Sequence, residues 1–306
     1  MPTPENPAAP LIIEARLNEY TMRNANPHVP WTPSEIAADA EACRRAGAAV
    51  VHYHPRSPDG SVDLSYQTSE AIVRNIRART DVLIHPTLGA MMQVQDPHQR
   101  LSTIIELTHN GYRPDFAPID VGTSNADLLA PDMTRFATTD VVYLNATSSL
   151  QVFADTLRRL GIKPYLHVWN LVQLRVAAVL HRLGYLDGPL WAGLCLSGDD
   201  APIHHPPTPG GIAAYVDNIP EGLPIILSVN GFHCDVLDLA PAIIASGGHL
   251  AIGLGDHHYA NRGQPNNAEL VVEVARIAQR MGRPIASPAD TVAILGIDEP
   301  ARRQAQ

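Results

Sequence analysis

The pattern that most constrains this chain is a repeated alternation of short apolar runs with longer amphipathic ones. Such alternation is the signature of successive βα units. Eight apolar runs read as strands: Leu11–Leu17, Ala48–His54, Val82–His85, Phe116–Asp120, Pro164–Val168, Leu190–Leu196, Pro224–Val229 and His249–Leu254. Helical stretches lie between them, among them Gln67–Arg79, Leu150–Leu160, Leu171–Leu183 and Ala268–Met281. In the last of these, Leu270, Val274, Ile277 and Met281 recur at the spacing of one helical face. Thr32-Pro33-Ser34-Glu35 reads as a helix start, with Thr32 as cap, Pro33 in the first turn and Glu35 reaching back, and Ala46-Gly47 as its stop. Ser287-Pro288-Ala289-Asp290 looks like another helix start. A ninth strand-like run, Val141–Asn145, is assigned to the connection after the fourth strand. The expectation is a TIM (β/α)8 barrel over residues 11–306, a single domain preceded by a short arm, Met1–Pro10.

Length and composition agree with that expectation. The 306 residues suffice for one barrel with extensions, and 45% hydrophobic with 17% charged residues is an ordinary globular mixture. The formal net charge of −9 argues against a nucleic-acid or anionic-membrane partner, though a site for an anionic ligand can be locally positive. Cys43, Cys195 and Cys234 form no CxxC and no paired framework, which points to a reducing compartment. No apolar stretch is long enough to span a membrane, and the four prolines of the arm do not resemble a signal peptide. A cytoplasmic location is therefore expected.

In barrels of this kind the chemistry sits at the carboxyl ends of the strands. The sharpest signal there is Val50-Val51-His52-Tyr53-His54-Pro55. Side chains two apart on a strand share a face, so His52 and His54 point the same way and can hold Zn²⁺ or another divalent metal. A histidine pair of this kind also occurs by chance, with both rings bonded to backbone. Support comes from polar residues at other strand ends: Glu19 and Tyr20, His85 and Thr87, Asp120, His167 and Asn170, Asn230 and His233, Asp256 and His257. Each alone reads as a solvated loop residue, but together they single out one barrel mouth. Beside a metal, a carboxylate or imidazole moves protons, and Asp256 suits either a base or a group that orients a histidine. His204-His205 lies in a long Pro- and Gly-rich loop, Ser197–Gly211, that reads as a surface loop with a chance histidine pair. No Walker motif, GxGxxG or GxSxG elbow is present.

Taken together, these residues resemble the β-keto acid cleavage enzymes, the family of 3-keto-5-aminohexanoate cleavage enzyme. The likeness runs from about Leu11 to Ile297. It is carried by Asn26-Pro27, Thr32-Pro33-Ser34-Glu35-Ile36, Ala46-Gly47-Ala48, His52-Tyr53-His54, Asp59-Gly60, Gly161-Ile162-Lys163-Pro164, Gly247-Gly248-His249, Gly253-Leu254-Gly255-Asp256, Asn267-Ala268-Glu269-Leu270-Val271 and Gly282-Arg283. The resemblance implies a TIM barrel assembled as a homo-oligomer, dimer or tetramer. It implies a metal, usually zinc, that holds a β-keto acid while acetyl-CoA enters a retro-Claisen exchange giving acetoacetate and a new CoA thioester. It further implies that His52 and His54 bind the metal, that Asp256 is a catalytic aspartate, that Thr87 and Gly89 lie in a substrate-binding loop, and that Asp120 stands where the family has a substrate-binding asparagine.

The chain departs from the family at several positions. The family reads Arg-x-Gly-x-Glu-Asp at the eighth strand, where this chain reads Ala251-Ile252-Gly253-Leu254-Gly255-Asp256. The glutamate that supplies the family's third metal bond is thus Gly255 here, and the arginine is Ala251. A family glutamate aligns with Tyr20, beside Glu19, and another with His167. Glu19 and His167 are the expected compensating groups. Two other functions suit the same residues: a metal-dependent hydrolase, recognised by turnover without acetyl-CoA, and a binding protein that has lost catalysis, suggested by Ala251 and Gly255.

Overall fold

A computed structural model describes residues 9–88, 94 and 96–297. The expected arm falls mostly outside them, apart from Ala9 and Pro10, as does the stretch 298–306. Eight parallel strands form the sheet: β1 (Ile13–Arg16), β2 (Val50–Tyr53), β3 (Leu83–Pro86), β4 (Phe116–Asp120), β5 (Lys163–Val168), β6 (Leu190–Ser197), β7 (Ile225–Phe232) and β8 (His249–Ile252). Ladders run from β3 through β2, β1, β8, β7, β6 and β5 to β4. The seam between β3 and β4 is closed by Asp115. Its amide donates to the Ile84 carbonyl at 3.0 Å, and its carboxylate accepts the Ile84 amide at 2.8 Å. The architecture is the TIM barrel expected from the alternation.

The helices are α1 (Pro33–Ala46), α2 (Tyr66–Arg77), α3 (Pro97–His109), α4 (Thr147–Leu160), α5 (Leu171–Arg182), α6 (Pro209–Val216), α7 (Ala240–Ala245), α8 (Asn267–Arg280) and α9 (Pro288–Leu295). Helix α1 begins on the capping box read from the sequence. Thr32 accepts from the Glu35 amide, Glu35 reaches back to the Thr32 amide, and Gly47 ends the helix at φ 119°. Helix α9 starts on Ser287, and its Val292 and Leu295 join Ile12, Val50, Leu83, Phe116 and Trp191 to seal the amino end of the barrel. The ninth strand-like run is resolved outside the barrel. Val142–Tyr143 pairs antiparallel with Ser124–Asn125, so the β4–α4 connection carries its own small hairpin.

Alternation along each strand sorts the side chains. Ile13, Ala15, Val51, Tyr53 and Ile84 face outward into the main helix-packed core, which also takes Ile36, Ala40, Ile72, Leu101, Leu157, Leu174 and Val271. The opposite set turns into the barrel, and there the chain is polar: Glu14 and Arg16 on β1, His52 on β2, His85 on β3, Asp120 on β4, Tyr165 and His167 on β5 are all wholly or largely buried. Gly193 makes room for one of them. A Cβ there would fall 2.2 Å from the Tyr165 hydroxyl, so only glycine fits beneath that ring.

Candidate active site

The interior polar residues converge on the carboxyl end of the barrel around one cavity. Its β1–β2 side is formed by Arg16, Glu19, Tyr20, His52 and His54, with Thr87 beside them. His52 is oriented by the strand next door: its Nδ1 lies 2.8 Å from the carbonyl of His85, so Nδ1 carries the proton and Nε2 presents its lone pair. Burial pushes the His52 pKa down to about 3, and Arg16 and His85 outweigh part of the pull from Glu19, so the ring is neutral. The backbone of His54 is clamped by Asn18, whose amide exchanges two hydrogen bonds with it, at 2.8 and 2.9 Å.

Glu19 completes the group. Its Oε1 lies 2.9 Å from His52 Nε2, and its Oε2 is in direct contact with His54 Nε2. Burial pushes the Glu19 carboxyl up, but Arg16 and the two imidazoles hold it well below the usual carboxylate range. A neutral imidazole therefore aims a lone pair at an ionised carboxylate. Two acceptors in that arrangement repel unless a cation lies between them. The ligating atoms of Glu19, His52 and His54 all lie within 4.8 Å of one another, so the donor set fits one divalent ion with two nitrogen ligands and one oxygen ligand. The turn that carries Glu19 is held in the left-handed region, φ 37°, and Arg56 fixes it by donating to the Glu19 carbonyl at 2.6 Å.

Arg16 ties this corner to Asp256. Its Nε donates to Asp256 Oδ1 at 2.7 Å, one terminal nitrogen contacts Glu19, and the other lies 3.5 Å from His167 Nε2. Asp256 is buried behind Arg16, does not border the cavity, and keeps Oδ2 without a partner. Burial pushes its carboxyl up to about 8, against the pull of Arg16. Across the mouth, Asp120 accepts from the Tyr143 hydroxyl at 2.7 Å and from Trp169 Nε1 at 3.0 Å, with His167 Nδ1 at 3.4 Å. Burial pushes the Asp120 carboxyl up, but His167 and Arg100 hold it at about 2.

Of the residues singled out in the sequence, Glu19, Tyr20, His52, His54, Thr87, Asp120, His167 and Asn230 line this cavity, and Asp256 reaches it through Arg16. Gly89 lies outside the described residues. His233 pairs with Asp200 at the surface, and His257 packs on His258; neither borders the cavity. Arg16, Tyr143 and Trp169, which the sequence reading did not single out, also line it, and so does His204. His204, read there as part of a surface loop, is drawn in because the loop folds back along β6. Ser197 accepts from the His204 amide at 3.1 Å and donates its own amide to the His205 carbonyl at 3.0 Å.

The fold and the site define a barrel enzyme with a candidate divalent-metal centre at its open end. A model of the β-keto acid cleavage enzyme family matches residues 10–297, and the chain belongs to that family. It is 28% identical over 293 residues to the 3-keto-5-aminohexanoate cleavage enzyme of Acetoanaerobium sticklandii, covering 94% of this chain and 99% of that one. It is 27% identical over 294 residues to the 3-oxoadipate:acetyl-CoA acetyltransferase of Cupriavidus necator, covering 94% and 95%. Among solved structures, apo ObcA superposes with a TM-score of 0.72 at 16% identity, over 89% of this chain and 66% of ObcA, which is a likeness of fold.

Proposed function

We propose that this protein cleaves a β-keto acid with acetyl-CoA, using a divalent cation held by His52, His54 and Glu19. In the exchange, the bond between the keto carbon and the α-carbon of the β-keto acid breaks. The released two-carbon acid unit joins the acetyl group as acetoacetate, and the remaining acyl group leaves on CoA. The names and lengths of the relatives support this chemistry. The observation that carries the metal is the lone pair of His52 Nε2 directed at the Glu19 carboxylate.

When bound, such a cation draws negative charge toward the keto and carboxylate oxygens of the substrate. The chain's own residues supply the rest. Glu19 and the two imidazoles fix where the substrate head sits. Arg16, held by Asp256, offsets the charge of Glu19 at that end of the cavity. Asp256 does not border the cavity, and a carboxyl pushed up to about 8 holds its proton near neutral pH, so its role in this reading is to position Arg16. His167 is the proton acceptor of this reading, because it borders the cavity and is backed by Asp120, as bases commonly are. Tyr20 and Thr87 line the substrate's path.

Zinc is the proposed metal, on the mixed nitrogen and oxygen donors. A cytoplasmic setting fits three buried cysteines without disulfides. Among the described residues no helix is long and apolar enough to cross a membrane. A homo-oligomer fits the apolar side chains that α5 and the β4–α4 hairpin region leave exposed, Val172, Leu183, Phe136 and Val142. The decisive experiment is metal analysis of the purified protein and of His52→Ala, alongside acetoacetate formation from β-keto acids with and without acetyl-CoA. Stoichiometric metal lost in the variant, with turnover that requires acetyl-CoA, is the expected result. Turnover without acetyl-CoA would indicate a hydrolase instead.

A further inference from the structure

The part of the cavity remote from the two histidines is lined from β4, β5, β7 and the loop after β6, and its chemistry bears on the substrate's side chain. One anion and one cation stand there. Asp120 Oδ2 lies 3.7 Å from a terminal nitrogen of Arg100, which is itself buried and donates to the Tyr143 hydroxyl at 2.6 Å and to Asn145 Oδ1 at 2.8 Å. The two charges offset each other. The strong donors of the wall, the Tyr143 hydroxyl and Trp169 Nε1, are already turned onto Asp120. Asn230 is engaged as well, accepting from Cys195 at 3.5 Å and donating to the Gly231 carbonyl at 3.3 Å.

Each charged class of side chain meets an obstacle here. A carboxylate would enter beside Asp120 and find the donors of the wall committed elsewhere, which is costly in a buried setting. An ammonium would find Asp120 already compensated by Arg100 and hydrogen-bonded on both oxygens. His167 on the same wall faces Asp120 through Nδ1 at 3.4 Å and Arg16 through Nε2 at 3.5 Å, so what remains on offer is aromatic surface and the ring of His204. His204 packs edge-on against Trp169, centroids 4.7 Å apart, and against Phe232 at 5.9 Å. Its two ring nitrogens are buried and have no partner. Burial keeps that imidazole neutral, its pKa pushed down to about 3. A neutral imidazole suits a neutral oxygen or plain hydrocarbon.

We infer that the β-keto acid taken by this chain carries an uncharged side chain, alkyl or hydroxyalkyl, rather than an ammonium or a second carboxylate. This rests on the proposed reaction for the head of the substrate, and it separates the chain from relatives whose names specify an amino or a dicarboxylic substrate.

The test uses the intact metal-loaded protein and four 3-oxo acids that share a head: a propyl tail, the same tail with a hydroxyl, the same with an amine, and one ending in a carboxylate. With acetyl-CoA present, kcat/KM for the two uncharged acids is expected to exceed that for either charged one by at least about tenfold, the scale of a mismatched buried polar contact. Calorimetric titration of the same acids without acetyl-CoA ranks the tails independently of turnover and should give the same order. Equal or tighter binding of the amine or the carboxylate overturns the inference. Failure of all four to react counts against the proposed reaction, while the binding order still decides the side chain.

Discussion

Glu19 occupies the space into which a side chain at Gly255 would project. A Cβ built on Gly255 falls 2.5 Å from Glu19 Cγ, 3.0 Å from the Glu19 amide nitrogen and 3.1 Å from the Arg16 carbonyl. The family resemblance expects a glutamate at 255 and an arginine at 251. In this chain, a glutamate and an arginine meet the same aspartate and the same histidines from β1 and the turn after it. Strands β1 and β8 are neighbours, with Glu14 opposite Ala251, so both charges reach the same mouth from one strand over. Glu19 and a residue larger than glycine at 255 are therefore mutually exclusive.

Gly255→Ala should consequently release the metal without unfolding the barrel. The methyl group meets backbone of the β1 turn as well as the Glu19 side chain, so Glu19 has to move. Loss of one of three protein ligands is expected to weaken retention at least about tenfold. Metal content after dialysis, measured beside a circular-dichroism melt, checks this. Full metal retention in both Gly255→Ala and Glu19→Gln would remove Glu19 from the ligand set.

His167→Asn separates proton transfer from metal binding. The amide keeps a polar group beside Asp120 but cannot accept the substrate's proton. A fall of about 10² to 10⁴ in kcat, with metal content unchanged, is expected of a lost general base. A fall smaller than tenfold would remove His167 from that role.

Much of this site was legible in the sequence, and the exceptions have physical causes. His52 and His54 stood out because two histidines two apart share one face at the loop end of an apolar strand. Glu19 was picked out by its place after the first strand, while Arg16, next to last in an apolar run, was passed over. Its signal was available: Glu14 and Arg16 alternate with Ile13, Ala15 and Leu17, so one face of that strand is charged. Tyr143 and His204 were harder, because they come from connections. A hairpin and a loop that folds back on β6 bring them in, and that path depends on backbone pairing such as Ser124 with Tyr143. Asp256 was found as a residue, but its position behind Arg16 depends on a cross-strand ion pair that spacing does not encode.

Arg100→Met tests the balance of charge on the far wall. Asp120 and Arg100 are both largely buried, and removing the guanidinium leaves a carboxylate with less compensation. The loss should be on the order of 3 kcal/mol in a denaturant titration. Tyr143→Phe, which deletes one hydrogen bond to Asp120, should lose about 1 kcal/mol. Equal losses in the two variants would mean that the hydroxyl, not the charge, stabilises Asp120.

Acid lability should follow from histidines that the fold keeps neutral, and His249 is the one best separated from the metal corner. It is 3% exposed at the amino end of β8, and its Nδ1 accepts the Ile12 amide at 2.8 Å. Burial pushes its pKa down to about 3, and Arg283 pushes in the same direction. The unfolded chain protonates this side chain near its ordinary value of about 6.5. Between those two values the unfolded state holds a proton that the folded state refuses, so the contribution of His249 is fully present above about pH 6.5 and is lost progressively toward pH 3. The slope from one such group is about 1.4 kcal/mol per pH unit. His249→Asn keeps an acceptor for Ile12 and removes the titration. Urea unfolding at pH 7.5 and pH 5 should therefore show a drop in stability smaller by about 2 kcal/mol in the variant than in the parent chain. His52 and His204 still contribute to the remaining slope, since burial holds both near 3 as well. An identical pH dependence in the two proteins would mean that His249 is protonated in the folded barrel, with the Ile12 amide turned elsewhere.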